Sequence, residues 1–363
     1  MKKTIETGKT LIVNGPSSVM VVSGTVEVFG NVIKEKQQII VREGKRQPFH
    51  ILENAEFHVS LGANATIQEE ETNTIPESWK EALQTVAAIQ NKPTVIIVVG
   101  KSNTGKSSFS TYMVNNLVKG KNKVAVLDSD LEQSDIGPPC TIAYSYVTKR
   151  VTELCELDMS NAFFVGVNSP IQAVNRSIEG LTVMYREIMQ KHEANYVIIN
   201  TDGAVEGEAA INYKLQLINQ FKPDLVIGIQ NQEELGPLFS YITTVSTCCI
   251  KQSSIASGHS TEKRTKLREL NYAKHLKDAK ARLLFASYME IQEKNILPKE
   301  LGKEKGILVG LRNAKKQFLG IGIMLEYNRT RQTMKILTPV SIKPASITIG
   351  RIRLDPELRE MPL

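Results

Sequence analysis

Gly100-Lys101-Ser102-Asn103-Thr104-Gly105-Lys106-Ser107 has the spacing G-x-x-x-x-G-K-[ST], the signature of a loop whose backbone N–H groups wrap around phosphates. Its flanks decide the reading. Before it, Thr94-Val95-Ile96-Ile97-Val98-Val99 is a continuous β-branched run, as a buried strand requires. After it, Ser108 to Val118 places Phe109, Met113, Val114 and Leu117 at helical spacing on one face. Strand, glycine loop and helix together predict a P-loop. The glycines let the backbone close on phosphate, and the helix N-terminus adds positive potential. Lys106 is expected to reach the β- and γ-phosphates of a nucleoside triphosphate, with the Ser107 hydroxyl on Mg²⁺. Residues 100 to 107, with Ser108, are the expected nucleotide-binding set.

Outward from this loop the chain alternates strand and helix. Lys123–Asp130, Ala162–Val167, Tyr196–Thr201 and Asp224–Ile229 read as further strands. Helices are expected from Ser169-Pro170 to about Lys191 and from about Gly207 to Phe221, the latter stopping before Pro223. Such alternation predicts an α/β fold: a P-loop NTPase domain with a parallel sheet, its ligand at the carboxyl ends of the strands. Residues 1–75 carry short β-rich runs punctuated by turn residues, an N-terminal β domain. Residues 291–363 read as a C-terminal β domain, and 76–290 as the P-loop domain. Trp79, the only tryptophan, is expected to pack at the first junction.

The chain has 363 residues, 41% hydrophobic and 23% charged, with four cysteines and no C-x-x-C spacing. No apolar run is long enough to span a bilayer, and Met1-Lys2-Lys3-Thr4-Ile5-Glu6 has no signal-peptide core. A cytoplasmic protein with free thiols and no membrane association is expected. Net charge is +7, which suits a polyanionic partner. Basic residues concentrate between His259 and Arg282, in a glycine-free stretch expected to be helical. Small polar residues 253–258 before it suit a hinge, so 258–284 is the expected lid.

The strand after the P-loop helix ends in Asp128-Ser129-Asp130-Leu131-Glu132-Gln133. Two carboxylates at i and i+2 of a strand point the same way, and can hold a metal or accept a proton from an attacking hydroxyl. Gln133 can orient a nucleophile or a metal-bound water. Asn200-Thr201-Asp202-Gly203 closes a later strand; Asp202 is either a metal-side acid or a turn residue. Asn168-Ser169-Pro170 offers a hydroxyl and N–H groups, with helix capping the plainer role. Arg264 and Arg268, at i and i+4, share a helix face and can neutralise charge on a transferred phosphoryl group. Asn231-Gln232-Glu233-Glu234 lacks the N-K-x-D pattern that reads guanine.

Together these motifs resemble the polynucleotide 5′-hydroxyl kinase family, whose members include an RNA kinase subunit of the pre-mRNA cleavage machinery, a pre-rRNA-processing kinase and shorter archaeal enzymes. The carrying residues are the P-loop, Asp128-x-Asp130-x-x-Gln133 continuing to Pro139, Phe163-Phe164-Val165-Gly166 with Ser169-Pro170, Asn200-Thr201-Asp202-Gly203, and Tyr213-Lys214. Length and compact ends look most like the archaeal members. The resemblance implies ATP- and Mg²⁺-dependent transfer to a 5′-OH end of RNA or DNA, with RNA-processing proteins as partners. It implies Lys106, Asp130, Arg264 and Arg268 as catalytic residues, Asp130 as the base, and Ser107, Asp128 and Asp130 at the metal. Gln133, Ser169, Thr201 and Gly203 are implied on the substrate side. Where many members have tryptophan after the Thr-x-Gly element, this chain has Ala204. A nucleotide-binding scaffold without transferase activity is the alternative.

Overall fold

A computed structural model describes residues 1–363 except 121, 257, 259, 294–303 and 362–363. Contacts divide the chain into two units: Met1–Val126 with Tyr146–Asp158 and His192–Ser260, and Leu127–Ser145 with Met159–Lys191 and Thr261–Leu363. The boundary falls inside the strand Val124–Asp128.

In the first unit, an antiparallel sheet runs in the order Asn31–Ile33, Ser17–Val28, Arg46–Leu61, Thr10–Asn14, Ile67–Glu70. Its inward positions, among them Val19, Val21, Val26, Phe49 and Phe57, are fully buried. The same unit holds the parallel strands Tyr196–Asn200, Thr94–Gly100, Leu225–Gln230 and Ser246–Lys251, hydrogen-bonded in that order. Every residue of Thr94–Gly100 is buried, as a central strand covered on both faces must be. Trp79 lies on helix Glu77–Ala88, wholly buried. Its ring packs 5.1 Å from Phe109 of the P-loop helix and 6.5 Å from Phe29, and its N–H donates to the Lys251 carbonyl at 2.9 Å. The packing role expected of it is the one observed.

The P-loop helix, Lys106–Leu117, is buried beyond the expected face: Ser110, Thr111 and Asn115 are inside too. Asn115 is fully satisfied there. Its amide donates to the Phe29 and Val151 carbonyls and accepts from Val151 N–H, all at 2.8–2.9 Å, so no buried polar atom of it goes unpaired.

In the second unit, Thr141–Val147 pairs antiparallel with Asn161–Phe164, a departure from the all-parallel expectation. The first of these strands is missed by pattern because it carries hydroxyls inside. Thr141 Oγ1 donates to the Pro138 carbonyl and Tyr144 OH to Glu187, which satisfies them. A second sheet runs Lys280–Phe285, Thr333–Thr338, Phe318–Asn328, Ile307–Arg312, Ser346–Leu354, Glu290–Gln292, over a core that includes Val309, Leu311, Met324, Met334, Ile336 and Ile349. The expected basic helix is shorter than its composition suggests. It spans Thr261–His275, and Lys280–Phe285 is a strand instead. Asp278 at φ +60° turns the chain between them, and pairing with Thr333–Thr338 outweighs the helix-like composition. The expected helix from Ser169-Pro170 begins with a 3₁₀ turn, Pro170–Ala173, before the α-helix Val174–Lys191.

Candidate active site

In the first unit the P-loop takes the shape its spacing requires. Asn103 and Gly105 have φ of +67° and +92°, and nothing lies within 4 Å of where a Cβ on Gly105 would be. A left-handed residue with an open side lets backbone approach a ligand. Lys106 is buried, its ammonium donating to the Gly100 and Lys101 carbonyls at 2.9 and 2.8 Å. Thr104 Oγ1 also donates to the Lys101 carbonyl, at 2.9 Å. Lys101 pairs with Glu206 at 2.7 Å. Ser107 receives the Asn200 amide at 3.4 Å. Ser102 lies against the turn Thr201–Ala204, where a Cβ on Gly203 would sit 2.1 Å from Ser102 Oγ and 2.5 Å from its backbone nitrogen. Only glycine fits there. Ser108 follows in the first turn of the helix, half-buried.

That turn is held from beneath. Thr201 Oγ1 is fully buried and donates to the Val98 carbonyl of the P-loop strand at 2.8 Å. Asp202 is buried, and its Oδ1 accepts the Ala204 N–H at 2.8 Å. Its Oδ2 takes the Lys214 ammonium at 2.6 Å, with the Lys214 side chain 1% exposed. Asp202 is thus both a turn residue and half of a buried ion pair. Lys214, from helix Glu208–Phe221, is the residue that local patterning did not single out for a role.

In the second unit the acidic pair separates. The strand ends at Asp128, so strand alternation does not extend to Asp130. Asp128 is fully buried in a nest of donors: Asp135 N–H at 2.7 Å, Ile136 N–H and Ser134 Oγ at 3.3 Å, and Asp130 N–H at 3.3 Å. Burial, followed by the charges of Asp135 and Asp130, pushes its carboxyl up to about 7. Asp130 is partly exposed, and its Oδ1 accepts the Glu132 and Gln133 N–H groups at 3.0 and 2.9 Å. A divalent cation near such a buried carboxyl group would lower its pKa again.

Gln133 amide donates to the Arg264 carbonyl at 3.0 Å, tethering this loop to helix Thr261–His275. Arg264 Nε reaches Glu132 at 3.4 Å. Arg268 is 5% exposed and held more firmly. Its Nε and Nη2 grip both oxygens of Glu360 at 2.5 and 2.6 Å, and Nη1 reaches Glu132 at 3.2 Å. Tyr272 OH donates to the same Glu360 at 3.0 Å, and Asn168 Nδ2 approaches it at 3.4 Å. Ser169 caps the following turn through its backbone carbonyl, which accepts the Gln172 N–H at 3.2 Å, and not through its side chain. Glu360 gives no sequence signal, because its partners are about ninety positions upstream.

With this geometry in place, residues 100–278 match the model of the mRNA cleavage and polyadenylation factor CLP1 P-loop family. Those residues, just under half of the chain, are similar to that family. Relatives extend the likeness. A polyribonucleotide 5′-hydroxyl-kinase of Pyrococcus furiosus is 28% identical over 343 residues, covering 80% of this chain and 96% of its own. One of Methanocaldococcus jannaschii is 25% identical, with coverages of 80% and 95%. A polynucleotide 5′-hydroxyl-kinase of Arabidopsis thaliana is 30% identical over 43% of this chain and 45% of its own. The solved wild-type Clp1p–Pcf11p complex has a chain of the same fold, with TM-score 0.77, 14% identity and 97% of both chains covered. The expected class, a P-loop NTPase fold flanked by strand-rich regions, is the one found.

Proposed function

We propose that this protein is an ATP-dependent polynucleotide 5′-hydroxyl kinase. The observation that carries the reading is an intact P-loop, with Lys106 buried against its own loop carbonyls, in a chain that resembles archaeal 5′-hydroxyl-kinases along most of its length. In the reaction, a 5′-hydroxyl oxygen of RNA or DNA bonds to the γ-phosphorus. The bond to the bridging oxygen breaks and ADP leaves with that electron pair. Asp130 takes the hydroxyl proton; the two N–H groups on its Oδ1 fix the carboxylate's direction. Lys106 and the lid arginines offset charge on the transferring group. Arg264 is the readier of the two, because Arg268 is already gripped by Glu360. Ser107, Asp128 and Asp130 would hold Mg²⁺, which when bound would offset phosphate charge. Gln133 and Ser169 act on the substrate side, whereas Thr201 and Gly203 act through the P-loop they brace. RNA-processing proteins are the expected partners, and a cytoplasmic setting fits a chain with no described helix able to cross a membrane.

The test is transfer of label from γ-labelled ATP to 5′-OH oligonucleotides. Label on the 5′ end is the expected result. Free phosphate alone, or no turnover, would leave an ATPase or a nucleotide-binding scaffold. Lys106→Ala abolishes transfer. Asp130→Asn abolishes it while nucleotide still binds, and wild-type activity in that variant removes the base assignment.

A further inference from the structure

The strand Lys280–Phe285 forms one edge of the C-terminal sheet, hydrogen-bonded to Thr333–Thr338. Its outward face shows Leu283, 61% exposed, and Phe285, 49% exposed, while Leu284 points inward. Just beyond it Tyr288 is 75% exposed, its ring edge-on to Phe285 at 6.4 Å. Lys343 Nζ stands 5.4 Å over the Tyr288 ring, and its neighbour Ile342 is exposed as well. Beside them lies a cleft of about 330 Å³, lined in part by Arg282, Phe285, Thr338 and Lys343. Arg282 Nε is buried there with no hydrogen-bond partner among the described residues.

Composition sharpens the picture. Residues 279–289 and 333–344 carry Lys280, Arg282, Lys335 and Lys343 and no aspartate or glutamate. Lysines on an edge strand can serve only to block strand addition. That does not account for the rings. Among the described residues the exposed aromatics are Tyr241, Phe285 and Tyr288, so two of three sit together on this basic edge. Exposed rings interleaved with cations are what a single-stranded polynucleotide uses: bases stack on the rings, and phosphates meet the cations. Lys335 faces Glu326 across the paired strands, which leaves Lys280, Arg282 and Lys343 as the cations of this edge, more than an apolar peptide would call for.

We propose that the edge formed by Arg282, Phe285, Tyr288 and Lys343 is a stacking platform for single-stranded nucleic acid. Identifying that strand with the acceptor's own chain rests on the kinase reading. Ala204 offers no ring to a base, and this platform supplies two.

The test separates binding from transfer. Fluorescence anisotropy follows a labelled single-stranded RNA or DNA of about 12 nucleotides that already carries a 5′-phosphate and so cannot be phosphorylated. Phe285→Ala and Tyr288→Ala each raise the dissociation constant about tenfold, with melting curves unchanged because both rings are exposed. Lys343→Ala weakens binding and lowers the salt slope by about one contact. Dissociation constants within twofold of wild type in the double ring variant overturn the proposal. So does wild-type protein that fails to bind the oligonucleotide, or rings whose loss changes only self-association in sedimentation. If the rings govern binding but no label is ever transferred to a 5′-OH end, the platform stands and the kinase reading falls.

Discussion

Asp202 and Lys214 show how a residue can matter without meeting a ligand. Both side chains are out of solvent, 2.6 Å apart, and the turn they hold presses Gly203 onto Ser102 of the P-loop. Removing one partner leaves a buried, uncompensated charge, at a cost of about 3–5 kcal/mol. Lys214→Met therefore lowers the melting temperature and raises the KM for ATP, because the loop loses its support. Lys214→Met combined with Asp202→Leu recovers much of the stability, since no charge is then stranded. A single variant that melts like wild type would sink this account. Local pattern offers Asp202 as a metal-side acid or a turn residue; the structure shows the turn role, with one oxygen on the Ala204 N–H and the other committed to the lysine. Lys214 was visible only as part of a resemblance, because a lysine on an amphipathic helix ordinarily reads as solvated.

Helix Thr261–His275 is shorter than its charged composition predicts, and its second arginine is committed inside the protein. Glu360 holds Arg268 in a bidentate grip and also accepts from Tyr272. Glu360→Ala strips most of that compensation from a buried guanidinium, so amide exchange across Thr261–His275 accelerates and stability falls by about 3 kcal/mol or more. Unchanged protection in that helix would show that Glu132 alone suffices. The helix also carries a pH response. Burial, and then Lys274, lowers the His275 imidazole from 6.5 to about 4. The unfolded chain takes up this proton below about 6.5 and the folded chain only near 4. The stability His275 contributes is thus whole above about 6.5 and is lost as pH falls from there toward 4. In melts across that range, His275→Gln shows a shallower acid slope than wild type; an identical slope would assign the acid sensitivity to other groups.

At the scale of the whole molecule, ATP binding is expected to stabilise the folded chain by mass action, about 2.7 kcal/mol at a hundredfold excess over the dissociation constant. The melting temperature rises accordingly with ATP and Mg²⁺, and Lys106→Ala abolishes the rise; a shift that persists in the variant would place the nucleotide elsewhere. The P-loop, the α/β class and the β-rich ends were legible in the sequence, because each is fixed by near neighbours: a β-branched run, an eight-residue loop, a helical stripe. Strand Thr141–Val147 was not, since its buried hydroxyls hide its apolar character, and Tyr144 finds its acceptor in Glu187, far along the chain. Ser246–Lys251 escaped as well, being an edge strand with one buried residue. The acidic pair was found by local spacing, but its division into a buried Asp128 and a half-exposed Asp130 was not, because that depends on where the strand ends and which N–H groups close around it. The sequence by itself determined that this chain has a loop built for a triphosphate, since covalent spacing and backbone freedom suffice for that. Only the tertiary structure decided which charges are spent on one another, Asp202 with Lys214 and Arg268 with Glu360, because burial and pairing join residues that the chain keeps far apart.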